Sequence, residues 1–162
     1  MTDDSRPGAQ PSHTLLQVCQ RFVDNVRHSS ELGIVVTAAS EQQVVGEMPW
    51  QSRLVGNPDT GVLHGGAVFA FLDQLGGLAV AGRIYPAMEI TPTIDFRLDH
   101  LHAPASGSTV IGVAECYRFS EHVAFVRLSA HQAGSEDEPL ASGLATYMRM
   151  KIPFQGQGSR KS

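Results

Sequence analysis

Residues 61–83, GVLHGGAVFAFLDQLGGLAVAGR, constrain the chain more than any other stretch, because they are long enough for a five-turn helix and apolar on nearly every side. A helix without a polar face belongs inside a protein, so the rest of the chain must be able to wrap it. After a loop holding Pro86 and Pro92 come four strand-like runs, 93–101, 108–119, 122–132 and 139–151. Their breaks, APASG, Ser120-Glu121 and AGSEDEP, are short enough for antiparallel hairpins. Ile94, Phe96 and Leu98 alternate with Asp95, Arg97 and Asp99, so one face looks inward and the other toward solvent or a partner. Upstream, two β-rich runs near 33–39 and 43–49 flank the polar Ser40-Glu41-Gln42 and read as a hairpin. Residues 12–28 read as an amphipathic helix on Leu15, Val18, Cys19, Phe22 and Val26, with Ser12 as its N-cap. The VGNPDTG segment reads as loop. The order helix, two strands, buried helix, four strands predicts an α+β domain with six antiparallel strands around one helix. The later strands lack the dozen-residue crossovers that parallel pairing needs.

A chain of 162 residues with 42% hydrophobic and 17% charged residues holds one core and is too apolar for disorder. The expected division is a single domain over 12–152 between polar, disordered tails at 1–11 and 153–162. A net charge of −4, with no basic run longer than two residues, argues against nucleic-acid binding. Cys19 and Cys116 stand in separate apolar stretches and suggest neither a disulfide framework nor a zinc site. The opening MTDDSRPGAQPS lacks the basic start and apolar run of a signal peptide. Residues 65–82 carry Asp73 and Gln74 mid-stretch and are rich in glycine and alanine, unlike a membrane span. A cytoplasmic protein with no membrane contact is the expectation.

The chemistry gathers on the buried helix. At its start stand His64, Gly65 and Gly66, where the first N–H groups lack intrahelical partners and carry the positive end of the dipole. Glycine lets a carbonyl approach those donors, so the Gly66 N–H fits an oxyanion hole; the alternative is a tight turn into the helix. Between Gly65 and Gly82 the only polar side chains are Asp73 and Gln74. A carboxylate on such a helix is costly unless it is paired or used. Asp73 therefore reads as a general base or nucleophile, the alternatives being local hydrogen bonding or a subunit interface. Gly66 and Asp73 are seven residues apart, about 10 Å along a helix axis. One reacting carbonyl group cannot touch both, so a joint role requires Asp73 from a second, antiparallel helix across a two-fold dimer.

Other groups carry less. Asp99, His100 and His102 do not complete a metal site, and no metal is expected. Arg83, Arg97, Arg118 and Arg149 are candidate phosphate contacts or plain surface charges. Trp50, Phe69 and Phe71 either line an acyl pocket or belong to the core. No G-x-S-x-G elbow or phosphate-binding P-loop occurs.

The combination of GVLHGGAVFAFLDQLGGLAVAGR, TPTIDFRLDHLHAPASG and ASGLATYMR resembles the hotdog-fold acyl-CoA thioesterases of the phenylacetate-pathway (PaaI-like) type, over about residues 12–151. The resemblance implies a sheet wrapped around the long helix, a homodimer with a continuous sheet, and a homotetramer of two such dimers. It implies that the Gly66 N–H polarises the thioester carbonyl and that Asp73 attacks it or activates water. Asn57 in the preceding loop and Thr91 at the next strand match the family's remaining catalytic positions, His64 fixes the loop, and Gly65 and Gln74 fall to substrate binding. The implied substrate is an acyl- or aryl-CoA, with coenzyme A part of the substrate and no separate cofactor. A hotdog hydratase or dehydratase and a non-catalytic acyl-CoA-binding protein are the competing readings. The former uses a different histidine–acid motif, and Asp73 argues against the latter.

Overall fold

The computed structural model describes residues 13–87 and 89–151. The expected tails and the Ser12 cap lie outside them. The amphipathic segment forms α1 (His13–Asn25), whose Leu15, Cys19 and Val23 are buried. It does not run on to 28 as the periodicity predicts. The Asn25 amide bonds back to the Arg21 carbonyl and Val26 turns extended, so a separate α2 (Arg27–Leu32) follows, closed by Gly33 at φ 69°.

Strands β1 (Val35–Ala39) and β2 (Gln43–Met48) form the expected hairpin. The segment read as loop instead begins with a short strand, β3 (Val55–Asn57), which pairs antiparallel with β4 (Val62–Leu63) just after it. The Asn57 side chain makes that turn, its Oδ1 accepting the Asp59 N–H at 3.0 Å while its carbonyl accepts from Gly61 at 2.9 Å. The central helix α3 (Gly65–Ile84) starts four residues later than the apolar run, because residues 62–63 are strand and His64 is the N-cap. β5 (Glu89–Ile90), β6 (Thr93–His100), β7 (Val110–Phe119), β8 (Val123–Gln132), β9 (Ser135–Met148) and β10 (Met150–Lys151) complete the order. The acidic Ser135–Pro139 segment is strand, not loop, because the β8–β9 turn needs only Ala133 and Gly134, the latter at φ 82°.

Six strands form one antiparallel sheet in the order β1-β2-β7-β8-β9-β6. The chain leaves β2, runs through α3 across the sheet, and re-enters at the far edge as β6. Helix and sheet meet closely because Gly46 and Gly112 face one another across β2 and β7. A Cβ on Gly112 would stand 2.6 Å from both Phe71 and Leu75, and one on Gly46 would stand 2.8 Å from Leu75. The glycine pair is thus the socket for those two fully buried side chains. α3 alone is long and apolar enough to cross a membrane among the described helices, yet 61% of its most apolar window is buried in this core.

Candidate active site

Asp73 leaves α3 on the side away from the glycine socket and is half-buried. Two hydroxyls hold its Oδ1: Thr93 Oγ1 donates at 2.7 Å and the Tyr147 phenol lies 3.2 Å away. The same phenol lies 3.0 Å from the Asp73 backbone carbonyl, so its single proton is shared between two acceptors. Both bonds go to Oδ1, and among the described residues none goes to Oδ2. Burial, then the Asp73 charge and hydrogen bond, push the Tyr147 phenol far above its ordinary range, so it stays a donor. A Cβ on Gly76 would overlap the Tyr147 hydroxyl and stand 2.8 Å from Cζ, so the absent side chain at Gly76 is what admits the phenol.

Neither hydroxyl is among the residues the sequence singles out, and both omissions have a physical cause. Strict alternation puts Ile94 in phase with Phe96 and Leu98, but the register slips between Thr93 and Asp95. The bulge leaves Ile94 51% exposed and delivers Thr93 to the carboxylate instead. Thr91, the sequence candidate, lines the same cavity, with Oγ1 3.7 Å from where a Gly77 Cβ would be. Tyr147 sits 74 residues beyond Asp73; the available signal is a tyrosine on a strand whose other buried residues are Leu140, Ala141 and Ala145, since a buried phenol needs a partner.

The helix N-terminus is a separate place. The Gly66 N–H donates to His64 Nδ1 at 2.9 Å, so that nitrogen is unprotonated and the imidazole caps the helix. The same bond means that the donor assigned to a carbonyl is here engaged by an exposed side chain. A Cβ on Gly65 would come 3.3 Å from the His100 ring, and Gly65, His100 and His102 border a second depression of their own. Gln74 Oε1 accepts from the buried Ser29 hydroxyl at 2.6 Å, tying α3 to α2, while the residue lines the cavity beside Asp73. Asn57 is exposed and occupied with its turn. One chain therefore brings Asp73, Gln74 and Thr91 together and sets Asn57, His64, Gly65 and Gly66 apart from them, as the helical spacing requires.

The weaker candidates resolve individually. Arg149 is not a phosphate contact but a buried clamp, pairing with Glu89 at 2.8 Å with side chains 12% and 5% exposed, its guanidinium over Phe119. Arg97 pairs with Asp99 on the surface. Phe71 is core, Trp50 donates to the Gly61 carbonyl, and Phe69 packs on Phe96. Among the described residues, no three acids, histidines or cysteines gather as a metal site.

A sequence model described as the thioesterase superfamily matches residues 60–138. A Halobacterium salinarum protein provisionally named an esterase is 30% identical over 134 residues, covering 79% of this chain and 87% of that one. This chain belongs to the thioesterase superfamily. A crystal structure of a Pseudomonas aeruginosa protein superposes with a TM-score of 0.75 at 37% identity, covering 84% of this chain and 99% of that one. The Escherichia coli PaaI protein of the phenylacetic acid degradation operon shares the fold, at TM-score 0.73 and 16% identity over 87% and 96% of the two chains. The superfamily's hotdog fold, a six-stranded antiparallel sheet around a long central helix, is therefore the fold of this chain. Membership and the esterase relative support a thioesterase or esterase activity. The matched segment contains His64 to Asp73 and Thr93 but stops short of Tyr147.

Proposed function

We propose that this superfamily member hydrolyses an acyl-CoA thioester to a free acid and coenzyme A. The observation that carries the proposal is the Asp73 carboxylate, held at Oδ1 by Thr93 and Tyr147, with Oδ2 unbonded among the described residues, beside an apolar cavity of about 340 Å³. Oδ2 takes a proton from water as the water oxygen bonds to the thioester carbon. Collapse of the tetrahedral adduct breaks the carbon–sulfur bond, and the proton passes to the departing thiolate. The carbonyl oxygen, as it becomes negative, needs a donor. The Gly66 N–H supplies it once His64, an exposed side chain, swings off its cap.

Because Gly66 and Asp73 are seven residues apart on one helix, about 10 Å along its axis, each site takes Gly66 from one chain and Asp73 from another. Support for a homodimer comes from the sheet edges. At one edge Gln20 of α1 caps the Val36 N–H at 2.7 Å, whereas at the other six of the eight β6 residues are exposed. Half-exposed Ile94 and Leu144 and the neighbouring Phe69 give that open edge an apolar surface. A homotetramer would pair two such dimers. The reading places the protein in the cytoplasm, with acyl-CoA as its partner and no metal or nucleic acid.

Thiol release from a panel of acyl- and aryl-CoAs tests it. Turnover is expected with at least one of them; tight binding of acyl-CoA without thiol release would favour the binding-protein reading.

A further inference from the structure

The cavity beside Asp73 is an elongated slot. On α3 it is bordered by Asp73, Gln74, Gly77, Leu78 and Ala81, along one face of the helix, with Tyr85 just past the helix end. It faces Leu15, Val18 and Phe22 of α1, which lie on one face of that helix. The two helices run in opposite directions. Leu15 lies 3.6 Å from where a Gly82 Cβ would stand, while Ser29, beyond the other end of α1, bonds Gln74. Phe22 is therefore at the Asp73 end and Leu15 at the far end. From Asp73 to Ala81 is eight residues, about 12 Å of helix axis. Among the described lining residues only Asp73 and Glu89 are charged, and Glu89 is turned into its pair with Arg149. Burial pushes the Cys19 thiol on its wall up to about 11.

We infer that the slot is the acyl site and that it selects a straight, unsubstituted alkyl chain over an aryl group, with Ala81 and Leu15 setting the longest chain it takes. The inference rests on the thioesterase reading for the carboxylate at its mouth. An extended chain advances about 1.2 Å per bond, so about ten carbons span the distance from Asp73 to Ala81. Each methylene that enters should raise kcat/KM about fourfold, the value of burying one CH₂, until the slot is full. An aryl ring fills only the mouth and forgoes that gain.

The experiment uses butyryl-, hexanoyl-, octanoyl-, decanoyl-, tetradecanoyl- and benzoyl-CoA for turnover. S-butyl- and S-decyl-CoA, thioethers with no carbonyl to hydrolyse, are measured in parallel for binding by calorimetry. Wild type is expected to gain with each methylene up to about ten carbons, to level off beyond, and to prefer decanoyl- over benzoyl-CoA. Ala81→Leu, which fills the far half, is expected to lower the decanoyl-to-butyryl ratio, and the S-decyl-to-S-butyl affinity ratio, by more than about tenfold. Leu15→Ala, which lengthens the slot, is expected to move the optimum the other way, a gain that misfolding cannot imitate. A profile flat in chain length, a preference for benzoyl-CoA, or variants that change all chains equally would overturn the slot while leaving hydrolysis in place. Chain-dependent S-alkyl binding without any thiol release would uphold the slot and remove the thioesterase reading.

Discussion

The Tyr147 hydroxyl, at the end of a residue 1% exposed, lies 3.0 Å from the Asp73 carbonyl and 3.2 Å from its carboxylate Oδ1. One proton thereby links the main chain and the side chain of the same residue, fixing the direction in which the carboxylate leaves the helix. Tyr147→Phe keeps the ring and deletes that link. A hydrogen bond to a charged group is worth ~1.5–3 kcal/mol, so kcat is expected to fall about tenfold to a hundredfold. KM should move far less, because the phenol holds the carboxylate that takes the proton from the attacking water. Steady-state kinetics on folded protein check the split; an effect on KM alone would remove Tyr147 from positioning.

Thr93 is expected to matter more than Thr91, since Thr93 Oγ1 is 2.7 Å from Asp73 and no such bond joins Thr91 to it. Thr93→Val, nearly isosteric, should lower kcat by about tenfold or more, Thr93→Ser should restore most of it, and Thr91→Ala should be the mildest of the three. The reverse order, with secondary structure intact, would mean that the bulge does not deliver the working hydroxyl.

Alkaline stability offers an independent reading of the same phenol. Its folded value is raised, so above the ordinary tyrosine value of about 10 the unfolded chain releases a proton that the folded chain keeps. Stability from this group is thus complete below pH ~10 and is lost as pH rises further, at up to about 1.4 kcal/mol per pH unit. Denaturant melts from pH 8 to 11.5 should show a steeper loss for wild type than for Tyr147→Phe. Equal slopes would place Tyr147 in contact with water.

Much of this was legible in the sequence. The apolar run of α3 and the hairpin-length breaks after Pro92 dictate the wrapped helix, and the isolation of Asp73 among apolar neighbours singles it out as the proposed reacting group. What periodicity cannot show is its own interruption. The slip at Thr93–Asp95 exchanges Ile94 for Thr93, and pattern reading in steps of two necessarily picks the wrong one. Likewise α1 reads as an ordinary amphipathic helix, and only its antiparallel course against α3 reveals that Val18 and Phe22 face a cavity. The Gly76 notch and the distant Tyr147 are one fitted pair that sequence spacing separates by 71 residues.

The shared site has its own test. Asp73→Asn and Gly66→Val chains, each inactive alone, are denatured together and refolded. Gly66→Val displaces His64, whose Nδ1 is 2.9 Å from where the new Cβ would stand, and crowds the carbonyl. With random reassortment about half the dimers are mixed, and each holds one intact site, so activity is expected to plateau near a quarter of wild type per chain. Mixed dimers confirmed by mass but without activity would place both groups in one chain.

The most direct measurement is thiol release by wild type and Asp73→Asn on the best acyl-CoA of the panel, with matched melting temperatures as the control for folding. Asparagine preserves the size and the Oδ1 acceptor for Thr93 and Tyr147 while removing the charge that draws a proton from water. The account expects kcat to fall by about 10²–10⁴. Turnover within a few-fold of wild type would contradict it and leave the Asp73 carboxylate as a structural anchor for Tyr147.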